Sequence, residues 1–312
     1  MEAAHDYTPP VLLFNRHLET IYPSLLRKVS FRRPRRERIT TPDDDFLDLD
    51  WYEQGAKKLV LISHGLEGNS NRSYMVGMSR AFFRAGYDVV AWNFRGCSGE
   101  INRQLRFYHS GATDDLHTVI SHIARSYHDI RLVGFSLGGN MTLKYLGERI
   151  VHAAVKKAVA ISVPLNLYTS CVVISRPSNW IYTRRFLISL SAKVRAKPAL
   201  ARVLDVGKLS AMRTLLEFDD HFTGPLHGFS GARDYYQRCS SITFLPQIKV
   251  PTLLLNALND PFLSPECYPV VSNPNITTGY PGRGGHVGFA RFDGNGLYWS
   301  EMRALAFMDE TG

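Results

Sequence analysis

The 312-residue chain has no apolar run long enough to cross a bilayer. Its most hydrophobic stretches, around Leu59 to Ile62 and Val89 to Trp92, are strand-sized, against the ~20 residues a membrane helix needs. It also lacks a CxxC pair. The four cysteines, Cys97, Cys171, Cys239 and Cys267, are far apart, which argues against a zinc ribbon or redox motif and fits a reducing cytoplasm. No secretory leader is visible, because Glu2 and Asp6 stand where positive charge followed by an apolar run is required. Phosphate-cradling GxGxxG and P-loop patterns are missing from the strand-helix turns, which weighs against a nucleotide-dependent activity. With 24 glycines and 16 prolines, the composition is neither collagen-like nor of low complexity.

What is present is an ordinary globular composition, 45% hydrophobic and 21% charged. A chain of this size buries roughly 75% of the surface its unfolded form exposes, so a core can form without disulfides or metals. The net charge of +9 is concentrated: Arg27 to Arg38 holds seven basic residues and one acidic, +6 in all. That run reads as a solvated connection before the first strand. Attraction to an anionic membrane surface is the alternative, and nucleic acid is disfavoured because no stacking pattern or nucleic-acid motif accompanies the charge.

Residues 38–41 and 46–52 flank Pro42-Asp43-Asp44-Asp45 and alternate apolar with polar, predicting a half-buried hairpin. Short apolar runs then alternate with helix-length segments. Strands are expected at Leu59 to Ser63, Asp88 to Phe94, Ile130 to Phe135, Ala158 to Val163, Thr252 to Ala257 and Ile276 to Tyr280. Helices are expected at Ser73 to Ala85, Asp114 to Tyr127 and Gly139 to Glu148. This is the pattern of an α/β protein with a mostly parallel central sheet and helices on both faces. Residues 1–37 form an N-terminal extension. The alternation breaks over residues 164–241, too long for a crossover, which predicts an inserted, mainly helical cap with helices at Tyr182 to Val194 and Leu209 to Phe218. Insertions at strand ends sit where substrates enter an open sheet.

Gly134-Phe135-Ser136-Leu137-Gly138 matches GxSxG between an apolar strand and a helix, the context this motif demands. Such a pentapeptide arises by chance only ~0.1 times in a chain of this length, and two partial matches, at Gly96 and Gly228, lack the closing glycine. A serine hydroxyl is a weak nucleophile until a base takes its proton, and the base needs a third group to hold its tautomer. In nucleophile-elbow enzymes the chain order is Ser, acid, His. Asp260 follows the strand ending near Ala257, and His286 lies in a glycine-rich loop after the last strand. Of eleven histidines only His286 follows Asp260, whereas Asp293 comes too late to be the acid and Asp219 and Asp220 fall in the cap. The oxyanion of acyl transfer needs two N-H donors, each contributing about 3 kcal/mol. The backbone amides of Leu137, after the nucleophile, and Leu66, in His64-Gly65-Leu66-Glu67-Gly68, are the candidates, with His64 bracing that loop.

These residues carry a resemblance. Asn15 to Ile21 (NRHLETI), HGLEG at 64–68, NFRGCSGE at 93–100, Tyr108 to Gly111, GFSLGGN at 134–140, Pro225 to Phe229, NDPF at 259–262 and GGHVGF at 284–289 run along nearly the whole chain. The chain resembles the YheT-like branch of the alpha/beta-hydrolase superfamily, candidate esterases related to eukaryotic abhydrolase-domain lipases. The resemblance implies the alpha/beta-hydrolase fold, a Ser136-His286-Asp260 triad, and short- to medium-chain carboxylic esters or acylglycerols as substrates. It departs at Arg16, where glycine is expected, and at Asn259, where a second aspartate is more usual. No leading membrane helix is seen, as expected of a cytosolic, bacterial-type member.

The expectation is therefore a serine carboxylic ester hydrolase working through an acyl-enzyme, with no metal or organic cofactor and a small-molecule ester as partner. Phe135, Leu137 and Phe289 are expected to line the substrate pocket, with core packing as the alternative for each. Arg95, His109 and Ser110 are expected to hold loops. An acyltransferase or thioesterase with the same triad, and a non-catalytic ligand-binding scaffold, are the competing readings.

Overall fold

The computed structural model describes residues 7–292, 294 and 296–310; Glu2, Asp6 and Asp293 lie outside them. Eight strands form one sheet in the order β1-β2-β4-β3-β5-β6-β7-β8. They are β1 (Arg35–Thr40), β2 (Phe46–Tyr52), β3 (Lys58–Ser63), β4 (Asp88–Asn93), β5 (Asp129–Phe135), β6 (Val155–Ile161), β7 (Thr252–Leu255) and β8 (Ile276–Gly279). The pairs β1-β2 and β2-β4 are antiparallel and all others are parallel. A parallel sheet must be covered on both faces, which is why β3 and β4 read as unbroken apolar runs. Alternate residues of the central strands enter two separate cores. Ile130 and Leu132 of β5 pack with α3 (Thr113–Ile123) and α4 (Leu137–Glu148). Val133 and Phe135 pack with α2 (Ser73–Arg84) and α10 (Trp299–Asp309).

The hairpin differs from expectation in one respect. β2 is buried along its whole length rather than on one face. Its polar face, Asp48 and Asp50, is covered by the register partners Arg38 and Arg36, each a two-pronged ion pair with contacts of 2.7 to 2.9 Å. These arginines belong to the basic run, and Arg27 and Arg35 are paired as well, with Glu301 and Glu53. Of that run, only Lys28 and Arg33 have no partner among the described residues. Four of the run's seven cations are thus ion-paired, two of them with β2 of the hairpin the run was expected to precede, and β1 begins inside the 1–37 extension.

Between β6 and β7 lie α5 (Leu167–Ile174), α6 (Trp180–Arg195), α7 (Leu215–Phe218), α8 (Gly224–Leu226) and α9 (Ala232–Cys239), joined by tighter turns. They share an apolar cluster of their own, and Leu66, in the loop after β3, packs against both it and the core on one face of the sheet. The helix expected over 209–218 is broken. A 3-10 turn, Val206–Ser210, ends before Met212, and Thr214 with Glu217 forms a capping box that starts α7 afresh.

Candidate active site

Four segments meet at the carboxyl ends of the central strands. Ser136 stands between β5 and α4 with φ +51° and ψ −118°, the sharp turn that lifts its hydroxyl above the sheet. The turn is tight enough to require its glycines. A Cβ on Gly134 would lie 2.5 Å from the Gly138 carbonyl oxygen, and one on Gly138 would lie 2.6 Å from the Ser63 carbonyl oxygen. The helix begins at Leu137, two residues earlier than expected, directly after the strained serine.

The three side chains selected from sequence are in contact. Ser136 Oγ lies 3.0 Å from His286 Nε2. On the far side of the ring, Nδ1 lies 2.8 Å from Asp260 Oδ2. Because a carboxylate only accepts, Nδ1 carries the proton and Nε2 is left free to take one from serine. Asp260 is fully buried and its Oδ1 accepts the Phe262 amide at 2.8 Å, which fixes its orientation. The Phe262 ring lies 4.2 Å from the imidazole, centroid to centroid.

The loop after β3 lies beside the serine. Gly65 is so close that a Cβ there would sit 3.2 Å from the Ser136 Cβ. The amides of Leu66 and Leu137 make no hydrogen bond among the described residues, so both are free to donate. His64 does brace this loop. It is fully buried, touches the Gly65 carbonyl through Nδ1 at 2.7 Å and accepts the Phe94 amide at Nε2. Burial pushes its pKa down to about 3, so it stays neutral. Glu67, at φ +52°, accepts from Tyr108 and Lys193 at 2.7 Å each and from Ser189, tying the loop to α6.

Two cavities open on Ser136 and His286. The inner one, about 130 Å³, runs under the β6–β7 insertion and is lined by Leu66, Leu137, Leu190, Leu215 and Tyr236 among others. The outer one, about 410 Å³, opens between α1 (Arg16–Leu25) and α6 and carries Arg72 and Arg185. Neither Phe135 nor Phe289 reaches these walls. Both side chains are fully buried on the α2 and α10 side of the sheet, where Phe289, at φ +47°, packs on Tyr7 and Trp299. Their pocket-lining expectation is corrected to core packing. His109 and Ser110 do line the inner cavity, while Arg95 is buried against Asp43, Asp45 and Asp115. Asp219, placed in the cap from sequence, faces the inner cavity. There it accepts from Thr223 and Tyr236 at 2.6 and 2.5 Å, and burial pushes its pKa up to about 6.

Sequence reasoning missed α1. Glu19, buried, holds the histidine loop through Arg283 at 2.5 Å and the Gly284 amide at 2.6 Å, and holds Asn259 at 3.1 Å. Thr20 Oγ1 accepts the His286 amide at 2.9 Å. Asn259, the departure from the family pattern, donates to Glu19 and accepts from Gly285. An aspartate could not donate there and would set two carboxylates against each other.

A family profile described as alpha/beta hydrolase fold matches residues 58–289. Over 295 residues the chain is 35% identical to YheT of Escherichia coli strain K12, which bears the name of a candidate esterase, covering 91% of this chain and 87% of that one. It is 29% identical over 299 residues to a Bos taurus protein named phospholipase ABHD3, with 91% and 73% covered. It is 28% identical over 279 residues to a Saccharomyces cerevisiae monoacylglycerol lipase, with 85% and 61% covered. Among solved structures, a Pyrococcus furiosus esterase superposes with a TM-score of 0.60 at 18% identity over 90% of this chain and 95% of that one, a likeness of fold.

Proposed function

The chain belongs to the alpha/beta hydrolase fold family, and from that premise we propose that it is a serine carboxylic ester hydrolase. One observation carries the reading: a continuous hydrogen-bonded line from Ser136 Oγ through His286 to the buried Asp260, ending beside two unengaged amides. Attack of Ser136 Oγ on the ester carbonyl carbon transfers the hydroxyl proton to His286 Nε2. Asp260 holds the imidazolium, and the Leu66 and Leu137 amides receive the oxyanion. Collapse breaks the bond to the alcohol, which leaves with the proton from Nε2. Water, deprotonated by the same nitrogen, then releases the acid and restores Ser136.

The names borne by the relatives, esterase, phospholipase and monoacylglycerol lipase, support a carboxylic ester substrate. The inner cavity is the acyl site and the insertion over it acts as a cap. A cavity of 150 Å³ holds a benzene ring, so the smaller one of about 130 Å³ takes a short acyl chain, of about six carbons at most. The alcohol half leaves through the outer cavity. The four cysteines are free and buried, in keeping with a reducing compartment, and the cytoplasm is the location we propose. The test is a chain-length series of aryl esters. Wild type is expected to hydrolyse them saturably with an optimum near six carbons, and Ser136→Ala to lose at least ~1000-fold. Equal rates would reject the assignment.

A further inference from the structure

Surface helices ordinarily turn polar side chains to water, yet the solvent face of α6 carries Trp180, Ile181 and Ile188, 56%, 54% and 61% exposed. At 100° per residue these three share a stripe about 140° wide with Arg184, Arg185 and Arg195. Tyr182, Thr183, Leu187 and Val194 fall outside that stripe and are buried, as is Ser191 near its Trp180 edge. The three arginines are exposed and make no hydrogen bond or ion pair among the described residues. α6 contains no acidic residue, and its fourth cation, Lys193, turns inward to Glu67. The stripe adjoins the way in to Ser136: Ile181 and Arg185 line the outer cavity together with Leu25, which is 64% exposed at the end of α1.

We propose that this face of α6 seats on an anionic lipid surface, Trp180 and Ile188 entering the acyl region while Arg184, Arg185 and Arg195 meet headgroup phosphates. Large apolar side chains interleaved with unpaired arginines suit that boundary, where the aliphatic stem is buried and the guanidinium reaches outward. A second copy of the chain fits worse. A two-fold contact sets each patch against itself, arginine facing arginine with no carboxylate on the helix to neutralise them. The inference rests on the ester-hydrolase reading for its purpose, which is to deliver esters held in a bilayer to the outer cavity; the binding itself does not require Ser136. It assigns the lipid contact to α6 instead of the basic run before β2, whose arginines are largely ion-paired.

Each arginine at an anionic surface favours binding about fivefold, so three give on the order of 100-fold over a neutral surface. The experiment is co-sedimentation with vesicles of phosphatidylcholine, with and without phosphatidylglycerol, at low and high salt. Wild type should favour the anionic vesicles by at least ~10-fold and lose that preference at high salt. Trp180→Ser with Ile188→Asp, and separately Arg184→Glu with Arg195→Glu, should each weaken binding at least ~10-fold while hydrolysis of a water-soluble ester is unchanged. Equal wild-type recovery with both vesicle types overturns the proposal. So does unaltered binding by both variants, or a dimer in the ultracentrifuge that Ile188→Asp dissociates. Binding is read without turnover and soluble-ester hydrolysis without vesicles, so the two readings fail separately.

Discussion

Ser136 occupies a backbone conformation that costs an L-residue on the order of 1–3 kcal/mol, and its neighbours hold it there. The amide donates to Ile161 at 2.8 Å, the carbonyl accepts from Asn140, and the glycines on either side leave the turn no wider alternative. Asp260→Asn keeps the shape of the line but removes the acceptor that selects the Nδ1-protonated ring, so kcat should fall by about 10⁴ while the unfolding midpoint changes little. Steady-state kinetics beside thermal denaturation check both halves. His64 makes a separate prediction. Its folded pKa is about 3, against an ordinary 6.5, mainly because burial penalises the cation. Between those values the unfolded chain binds a proton that the folded one refuses, so stability falls as the pH drops through that window, by up to ~1.36 kcal/mol per unit. Urea unfolding across the window should give a shallower slope for His64→Gln than for wild type.

α1 is the element whose importance was least visible beforehand. Its motif could be recognised, but its function lies in partners 240 and 264 positions away, at Asn259 and Arg283. Helix periodicity carries no trace of such contacts. Because Glu19 and Thr20 pin the loop bearing His286, Glu19→Ala should lower kcat by 10- to 100-fold through misplacement of the imidazole, with KM nearly unchanged. A rise in KM with kcat preserved would assign Glu19 to the outer cavity instead. By contrast, β3, β4, β5 and α2 were legible to within about two residues, since each carries a strong periodic or unbroken apolar pattern. The 209–218 helix was misread because apolar spacing continues across Thr214, whose side chain caps a new helix instead of extending the old one.

For the whole molecule, the proposed function makes acyl-chain preference a property of the space between sheet and insertion, which no single element encloses. Leu215, buried in the cavity wall and carried by the short α7, is the side chain to truncate. Leu215→Ala should lengthen the preferred acyl chain by about two carbons, raising the ratio of eight-carbon to four-carbon kcat/KM by at least ~10-fold, at a stability loss of about 2–5 kcal/mol. An unchanged ratio would place the acyl group in the outer cavity.

The order of Ser136, Asp260 and His286, and the strand or loop that bears each, were determined by the sequence alone. Local rules govern them: glycines two positions either side of a strained serine, apolar runs of strand length, an acid and a base each just past a strand. Only the tertiary structure decided which aromatic rings line the cavities beside Ser136 and what pairs with the basic run. Phe135 and Phe289 show why. A side chain's face is set by strand alternation and by the left-handed backbone at Phe289, and whether that face is cavity or core depends on what distant segments pack there. Arg36 and Arg38 give the same lesson for charge, since their partners, Asp50 and Asp48, become neighbours only when the hairpin closes.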